Sequence, residues 1–254
     1  MHHLIDFHSH LDLYPNAQSL LPRVAKQNIF TLVVSTSPKA WLATSRVFTG
    51  YPNIKVALGL HPEIAVAKVA ETDLLVSLVA QAEFIGEIGL DGSPRFKHSL
   101  ALQRRILDVV LAECERVGGR VMSLHSRGAA DQVLDALEAH PKAGTPVLHW
   151  FSGTKKQLRR AVDQGAWFSV GPSMVASEKG RQLVAEMPAA NVLLETDGPF
   201  ATKADGTPWF PWETVQAVQT LCDLWRIPVE RVRAQLVSNL ETIVPELPAP
   251  AGVE

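Results

Sequence analysis

With 254 residues, 46% of them hydrophobic, and a formal net charge of -2, the chain is long enough for one large domain and too nearly neutral to hold nucleic acid chiefly through a basic surface. No apolar run approaches the roughly 20 residues of a membrane span, and the start, Met-His-His-Leu-Ile-Asp, lacks the basic flank and apolar stretch of a signal peptide, so a cytoplasmic location is expected. The only cysteines, Cys114 and Cys222, fall in amphipathic segments, which predicts buried thiols and no disulfide framework.

Short apolar runs alternate with longer amphipathic ones along the whole chain. A strand is predicted at Leu4–His8 and a helix over Ala17–Lys26, then strand Phe30–Ser35, helix Lys39–Thr49, strand Lys55–Leu60 and helix Asp73–Gln81. Strand Phe84–Ile88 precedes helix Leu100–Arg116; strand Val121–His125 precedes helix Ala130–Ala139. Pro146–Trp150, Trp167–Val170 and Val192–Thr196 are the last strands, separated by helices over Lys155–Gln164 and Lys179–Met187. Two more helices, Trp212–Leu224 and Val229–Leu240, follow. Eight strands alternating with helices predict an α/β chain folded as a single (β/α)8 TIM barrel over residues 1–244, since an open doubly wound sheet usually has fewer strands. The Pro- and Ala-rich tail, residues 245–254, is expected to fray.

Almost every predicted strand ends in a residue that chemistry can use: His8 and His10, His61, Glu87, His125, His149, and Glu195 with Asp197. A barrel brings all strand ends to one face, where its active sites sit. In Asp6-Phe7-His8-Ser9-His10 the two imidazoles, two residues apart on a strand, point the same way and can share one ion. Asp6 lies on that face one layer lower, placed to orient a ligating imidazole; the plainer alternative is a histidine pair that merely caps the strand. Glu87, flanked by glycines in an apolar strand, is costly to bury unless paired or bound to metal, and its two oxygens suit a ligand shared by two cations. A salt-bridged core residue is its plainer role, and Asp91 reads as a loop or helix-cap residue.

His125 and His149 each close an apolar strand, where a lone histidine is more often a hydrogen-bonded core residue. Two of them opposite an HxH pair favour a second metal, with Arg127 placed to grip an anionic oxygen or, more plainly, to form an ion pair on the rim. Asp197 completes the site begun by His8 and His10 and can accept a proton from a coordinated water, while Glu195 is read as structural. Water beside a divalent ion can have a pKa near 7, and two cations can activate it and stabilise a leaving oxygen together, so hydrolysis is the indicated chemistry. Neither a Walker-type loop nor GxGxxG is present to cradle a nucleotide cofactor.

In this order, DFHSHLD (Asp6–Asp12), GLHPE (Gly59–Glu63), GEIGLD (Gly86–Asp91), HSR (His125–Arg127), HWFSG (His149–Gly153) and ETDGP (Glu195–Pro199) resemble the TatD family of metal-dependent deoxyribonucleases from Leu4 to about Asn239. The resemblance implies a TIM barrel with His8, His10, Glu87, His125, His149 and Asp197 as metal ligands. His8, His10, Glu87 and Asp197 would hold one ion and Glu87, His125 and His149 the other, with His61 and Arg127 near the substrate phosphate. The chain departs from the family at Gly92–Lys97, at Trp150 and at Glu63, where a histidine is common. With GRV (Gly119–Val121) and WFSVGP (Trp167–Pro172), these departures are similar to the TatD-like member of the Qat anti-phage defence operons, which implies companion proteins.

The resulting expectation is a phosphodiesterase acting on single-stranded or end DNA through two divalent ions, zinc, manganese or magnesium among them. The same site on an ester, amide or lactone is one alternative; a scaffold subunit of a larger assembly is another. Phe200, Trp209, Phe210 and Trp212 can stack on bases or, as a stiff Pro-rich loop favours, pack that loop down. Lys155, Lys156, Arg159 and Arg160 read mostly as a solvated face, with Lys155 closest to a phosphate role.

Overall fold

The computed structural model describes residues 4–244, apart from the side chain of Ile29. The predicted tail therefore lies outside the described residues. Eight strands are present: β1 (Leu4–Ser9), β2 (Asn28–Val34), β3 (Ile54–Ala57), β4 (Phe84–Gly89), β5 (Arg120–His125), β6 (Gly144–His149), β7 (Trp167–Val170) and β8 (Val192–Leu194). The helices are α1 (Ala17–Gln27), α2 (Pro38–Val47), α3 (Ala65–Lys68), α4 (Thr72–Leu78), α5 (Leu100–Arg116), α6 (Ala130–Ala139), α7 (Lys155–Asp163), α8 (Pro172–Ala176), α9 (Glu178–Val184), α10 (Val218–Trp225) and α11 (Val229–Ile243). Every predicted element has a counterpart, although the predicted helix Trp212–Leu224 is 3-10 over Pro211–Ala217 and the predicted strand Lys55–Leu60 ends at Ala57. The one-turn helices α3 and α8 were not foreseen, because a single turn displays no apolar period.

The strands form two sheets ordered β1-β2-β3 and β4-β5-β6-β7-β8, with parallel pairing in β1–β2, β4–β5 and β5–β6. Buried on both faces, β4 has no exposed residue, which explains its unbroken Phe-Ile-Gly-Glu-Ile-Gly run. Two ladders are irregular where chemistry was anticipated. β1 shifts register between Asp6 and Ser9, around His8, and β4 shifts between Ile85 and Ile88, around Glu87. Such irregularities re-aim side chains that a regular pleat would point elsewhere. The predicted extension of the eighth strand to Thr196 does not form, because Thr196 gives its N–H to the Asp6 carboxylate and Asp197 is left-handed at φ 53°.

Two compact units divide the described chain. One comprises residues 4–33, 46–55 and 169–244; its core includes Ile5, Phe7, Phe30, Leu32 and Leu193, with the Phe7 and Phe30 rings stacked at 5.7 Å. Here Asn239 of α11 donates to the carbonyls of Ala189 and Val192, both at 2.7 Å, and so fixes the start of β8. The other comprises residues 34–45 and 56–168, with Ile85, Ile88, Val110, Leu124, Val133 and Leu148 buried and Phe151 edge-on to Phe168 at 5.8 Å. In this unit β4 lies so close to the segment after β3 that only glycine fits at position 59. A Cβ there would overlap the backbone N and O of Glu87 and the carbonyl carbon of Gly86. Cys114 and Cys222 are both buried and free, and burial pushes the Cys114 thiol up to about 12.

Candidate metal sites

In the first unit, β1 delivers His8 and His10 and the turn after β8 delivers Asp197. The two rings are buried and meet edge to face at 5.3 Å. His8 Nε2 and His10 Nε2 each lie 3.7 Å from Asp197 Oδ1. That spacing is too long for a hydrogen bond. It approaches the roughly 3–3.6 Å between neighbouring ligand atoms around a cation bound at about 2.0–2.2 Å. Two imidazole nitrogens and a carboxylate oxygen converging at this spacing fit a divalent metal.

The placement of Asp197 is built into the backbone. Its N–H donates to the His8 carbonyl at 2.8 Å, and His10 N–H donates to the Gly198 carbonyl at 2.8 Å, so strand and turn are zipped on both sides. Asp6 secures the turn from below: its carboxylate accepts from Thr196 N at 2.9 Å and from the Thr196 hydroxyl at 2.6 Å. Burial pushes the Asp6 carboxyl well above its ordinary range, against the lowering effect of the Thr196 hydrogen bonds. The side-chain hydrogen bonds of Asp6 thus orient the turn that carries Asp197, where an imidazole partner had been expected. Glu195 is fully buried and accepts from the Ser169 hydroxyl.

In the second unit, Glu87 Oε1 lies 2.7 Å from His125 Nδ1 and 3.1 Å from His149 Nε2, and those two nitrogens are 3.4 Å apart. The 3.1 and 3.4 Å separations fit the edges of a coordination shell, while the 2.7 Å between Glu87 and His125 is a hydrogen-bond distance. Glu87 Oε2 lies 3.1 Å from His61 Nε2. Because His61 Nδ1 accepts from Glu63 N–H at 3.2 Å, the neutral ring carries its proton on Nε2 and donates it to Glu87. His61 therefore braces the carboxylate, a contact its anticipated phosphate role did not include. Trp150, directly after His149, is held at φ 35°, a conformation that costs a non-glycine residue energy.

Asp91 lies in the loop after β4, as read, with its Oδ1 accepting from Ser93 N–H at 2.8 Å, and the structure adds a partner that the sequence did not show. Asp91 is fully buried, and its Oδ2 lies 2.8 Å from His125 Nε2. Burial disfavours its charge, but hydrogen bonds from His125 and Ser93 outweigh that and hold the carboxyl at about 2. The available signal was its position four residues after Glu87, just past a buried strand; its partner, 34 residues away in sequence, was invisible. Burial favours a neutral His125, yet hydrogen bonds to Asp91 and Glu87 raise its pKa.

Arg127 is exposed, its carbonyl accepting from Gly92 N–H at 2.7 Å. Arg160 pairs with Asp135 at 2.6 Å and Glu138 at 2.8 Å, so this part of the basic helix is a solvated ion-pair face. In the loop after β8, Phe210 stacks on Trp212 at 4.8 Å, Arg23 covers the Trp212 ring at 3.7 Å, and Trp209 Nε1 donates to Ser173 at 2.9 Å. These three aromatics pin the loop. Phe200 differs: it is 61% exposed and touches His10 edge-on at 4.8 Å.

A model of the family described as TatD related DNase matches residues 5–245. The metal-dependent hydrolase YjjV of Escherichia coli K12 is 30% identical over 256 residues, covering 94% of this chain and 96% of its own length. Human deoxyribonuclease TATDN3 is 27% identical over 265 residues, covering 96% and 95%. The 3'-5' ssDNA/RNA exonuclease TatD of Escherichia fergusonii is 26% identical over 184 residues, 70% of each chain. The crystal structure of YjjV matches with a TM-score of 0.81 at 27% identity, covering 94% of this chain and 97% of that one, and with it the chain shares a parallel α/β, TIM-barrel-like fold.

Proposed function

The chain belongs to the TatD related DNase family, and on that premise we propose that it is a metal-dependent phosphodiesterase that hydrolyses DNA at single strands or ends. The observation that carries this reading is the pair of largely buried imidazole–carboxylate clusters, His8–His10–Asp197 and Glu87–His125–His149, whose imidazole nitrogens and carboxylate oxygens converge to within 2.7–3.7 Å. Each would hold a divalent ion, zinc, manganese or magnesium, within a single (β/α)8 barrel domain in the cytoplasm. When bound, such ions lower the pKa of a coordinated water toward 7 and neutralise charge on the phosphoryl group.

The chain's own groups supply the rest. Asp197, with 14% of its side chain exposed beside buried His8 and His10, is the cluster member that reaches solvent and accepts the proton of the attacking water. Glu87 keeps His125 and His149 converged while His61 steadies its second oxygen. The exposed Arg127 guanidinium binds a non-bridging phosphate oxygen with a charge-assisted hydrogen bond. The narrower likeness, at Glu63, Trp150 and the GRV and WFSVGP segments, supports a role in anti-phage defence beside companion proteins.

The test is to incubate purified protein with single-stranded DNA, duplex DNA and a simple aryl ester, with added metal or with chelator. Nucleotide release from single strands that chelator and Asp197→Asn both abolish is expected. Ester hydrolysis without any metal-dependent nucleotide release would overturn the assignment.

A further inference from the structure

The His125 ring is gripped at both nitrogens: Nδ1 faces Glu87 Oε1 at 2.7 Å and Nε2 faces Asp91 Oδ2 at 2.8 Å. Only the Nδ1 side also meets His149, at 3.4 Å. We propose that Asp91 is a positioning residue that keeps the His125 proton on Nε2 and thereby presents the Nδ1 lone pair to the cation, an inference that rests on the metal-site assignment above.

Asp91 is itself locked from two further directions. Its Oδ1 accepts from Ser93 N–H at 2.8 Å, and its own N–H donates to Gln103 Oε1 at 2.7 Å. Gln103, on α5 and 1% exposed, donates through Nε2 to Ser99 Oγ at 2.8 Å and to the carbonyl of Phe96 at 3.2 Å, so the loop between β4 and α5 is stapled around it. The backbone joins the same arrangement. Leu90 N–H donates to the His125 carbonyl at 3.0 Å and Gly92 N–H to the Arg127 carbonyl at 2.7 Å. Gly89 permits this approach, since a Cβ there would overlap the backbone of His125. The chain Gln103–Asp91–His125 thus runs from a packed helix to a ligand nitrogen without a flexible link.

A carboxylate suits this role better than a neutral acceptor. An imidazole that ligates through one nitrogen donates its other N–H, and a carboxylate acceptor raises the basicity of the ligating atom while fixing the ring plane. A merely structural Asp91 would need only to cap the 91–99 loop, for which the Ser93 contact suffices.

The test has two arms on zinc-loaded full-length protein. Long-range proton–nitrogen correlation spectra of the wild type should show His125 protonated at Nε2 and unprotonated at Nδ1. Asp91→Asn, which keeps size and shape, should weaken zinc binding at this cluster about 10–100-fold in a chelator competition. The Glu63 carboxylate also lies within 4.8 Å of Asp91 and His125, so a His125 protonated at Nδ1, or one with Nε2 itself on zinc between Asp91 and Glu63, would overturn the inference even if Asp91→Asn misfolds. So would Asp91→Asn binding zinc within about twofold of the wild type, judged against the tenfold loss such contacts typically govern. Wild-type protein that binds no zinc would instead defeat the metal-site assignment.

Discussion

Gly59→Ala tests whether the close approach of the β3 and β4 segments is what holds Glu87 in place. The added methyl would meet backbone atoms of Gly86 and Glu87, which cannot swing aside as a side chain does. Relief requires parting the strands at Leu58, whose N–H donates to the Phe84 carbonyl at 3.0 Å and whose carbonyl accepts from Gly86 N–H at 2.8 Å. Two backbone hydrogen bonds are worth about 1 kcal/mol each net, overpacking costs about 1–3 kcal/mol, and the stiffer unfolded chain returns about 0.4–1 kcal/mol. The expected net loss is about 2–5 kcal/mol. Urea unfolding of metal-free protein, followed by tryptophan fluorescence, measures it. Because the displaced strand carries Glu87, zinc affinity should fall as well. Gly50→Ala is the control, since a Cβ there meets nothing within 4 Å and only its φ of +97° resists substitution. A Gly59→Ala protein as stable as wild type, with undiminished zinc affinity, would refute the reasoning.

Arg127→Ala should raise KM for DNA about tenfold or more while leaving bound metal unchanged, because its side chain is exposed and outside both clusters. Asn239→Leu should destabilise the protein by about 1–3 kcal/mol in urea unfolding, since it strands the buried carbonyl of Val192 and the part-buried one of Ala189. In metal-free protein the raised pKa of His125 makes its contribution to stability full below 6.5 and lost as pH rises through the folded value. Thermal unfolding with chelator should show that decline, and His125→Asn should flatten it. Zinc uptake displaces the same proton, so calorimetric affinity should rise over the window in which stability falls.

Much of this was legible in the sequence because the strands are short, apolar and punctuated by the polar residues of the candidate metal sites. His8 and His10 announce a shared face through their spacing alone, and Glu87 stands out as a charge inside a fully buried strand. What remained hidden depends on partners far along the chain. Asp91 reads as a loop residue until the strand carrying His125 lies beside it, and Asp6 finds Thr196 across 190 positions. Strand eight was drawn too long because Glu195 and Thr196 look extended, whereas the Asp6 carboxylate takes the Thr196 N–H. Single-turn helices carry no period to read, so α3 and α8 went unseen.

The most direct measurement of the central claim is metal content after loading with zinc and removal of excess, in wild type, His8→Ala and His149→Ala. About two ions per chain in the wild type and about one or fewer in each variant are predicted. A wild type without stoichiometric metal, or variants that retain all of it, would contradict the account.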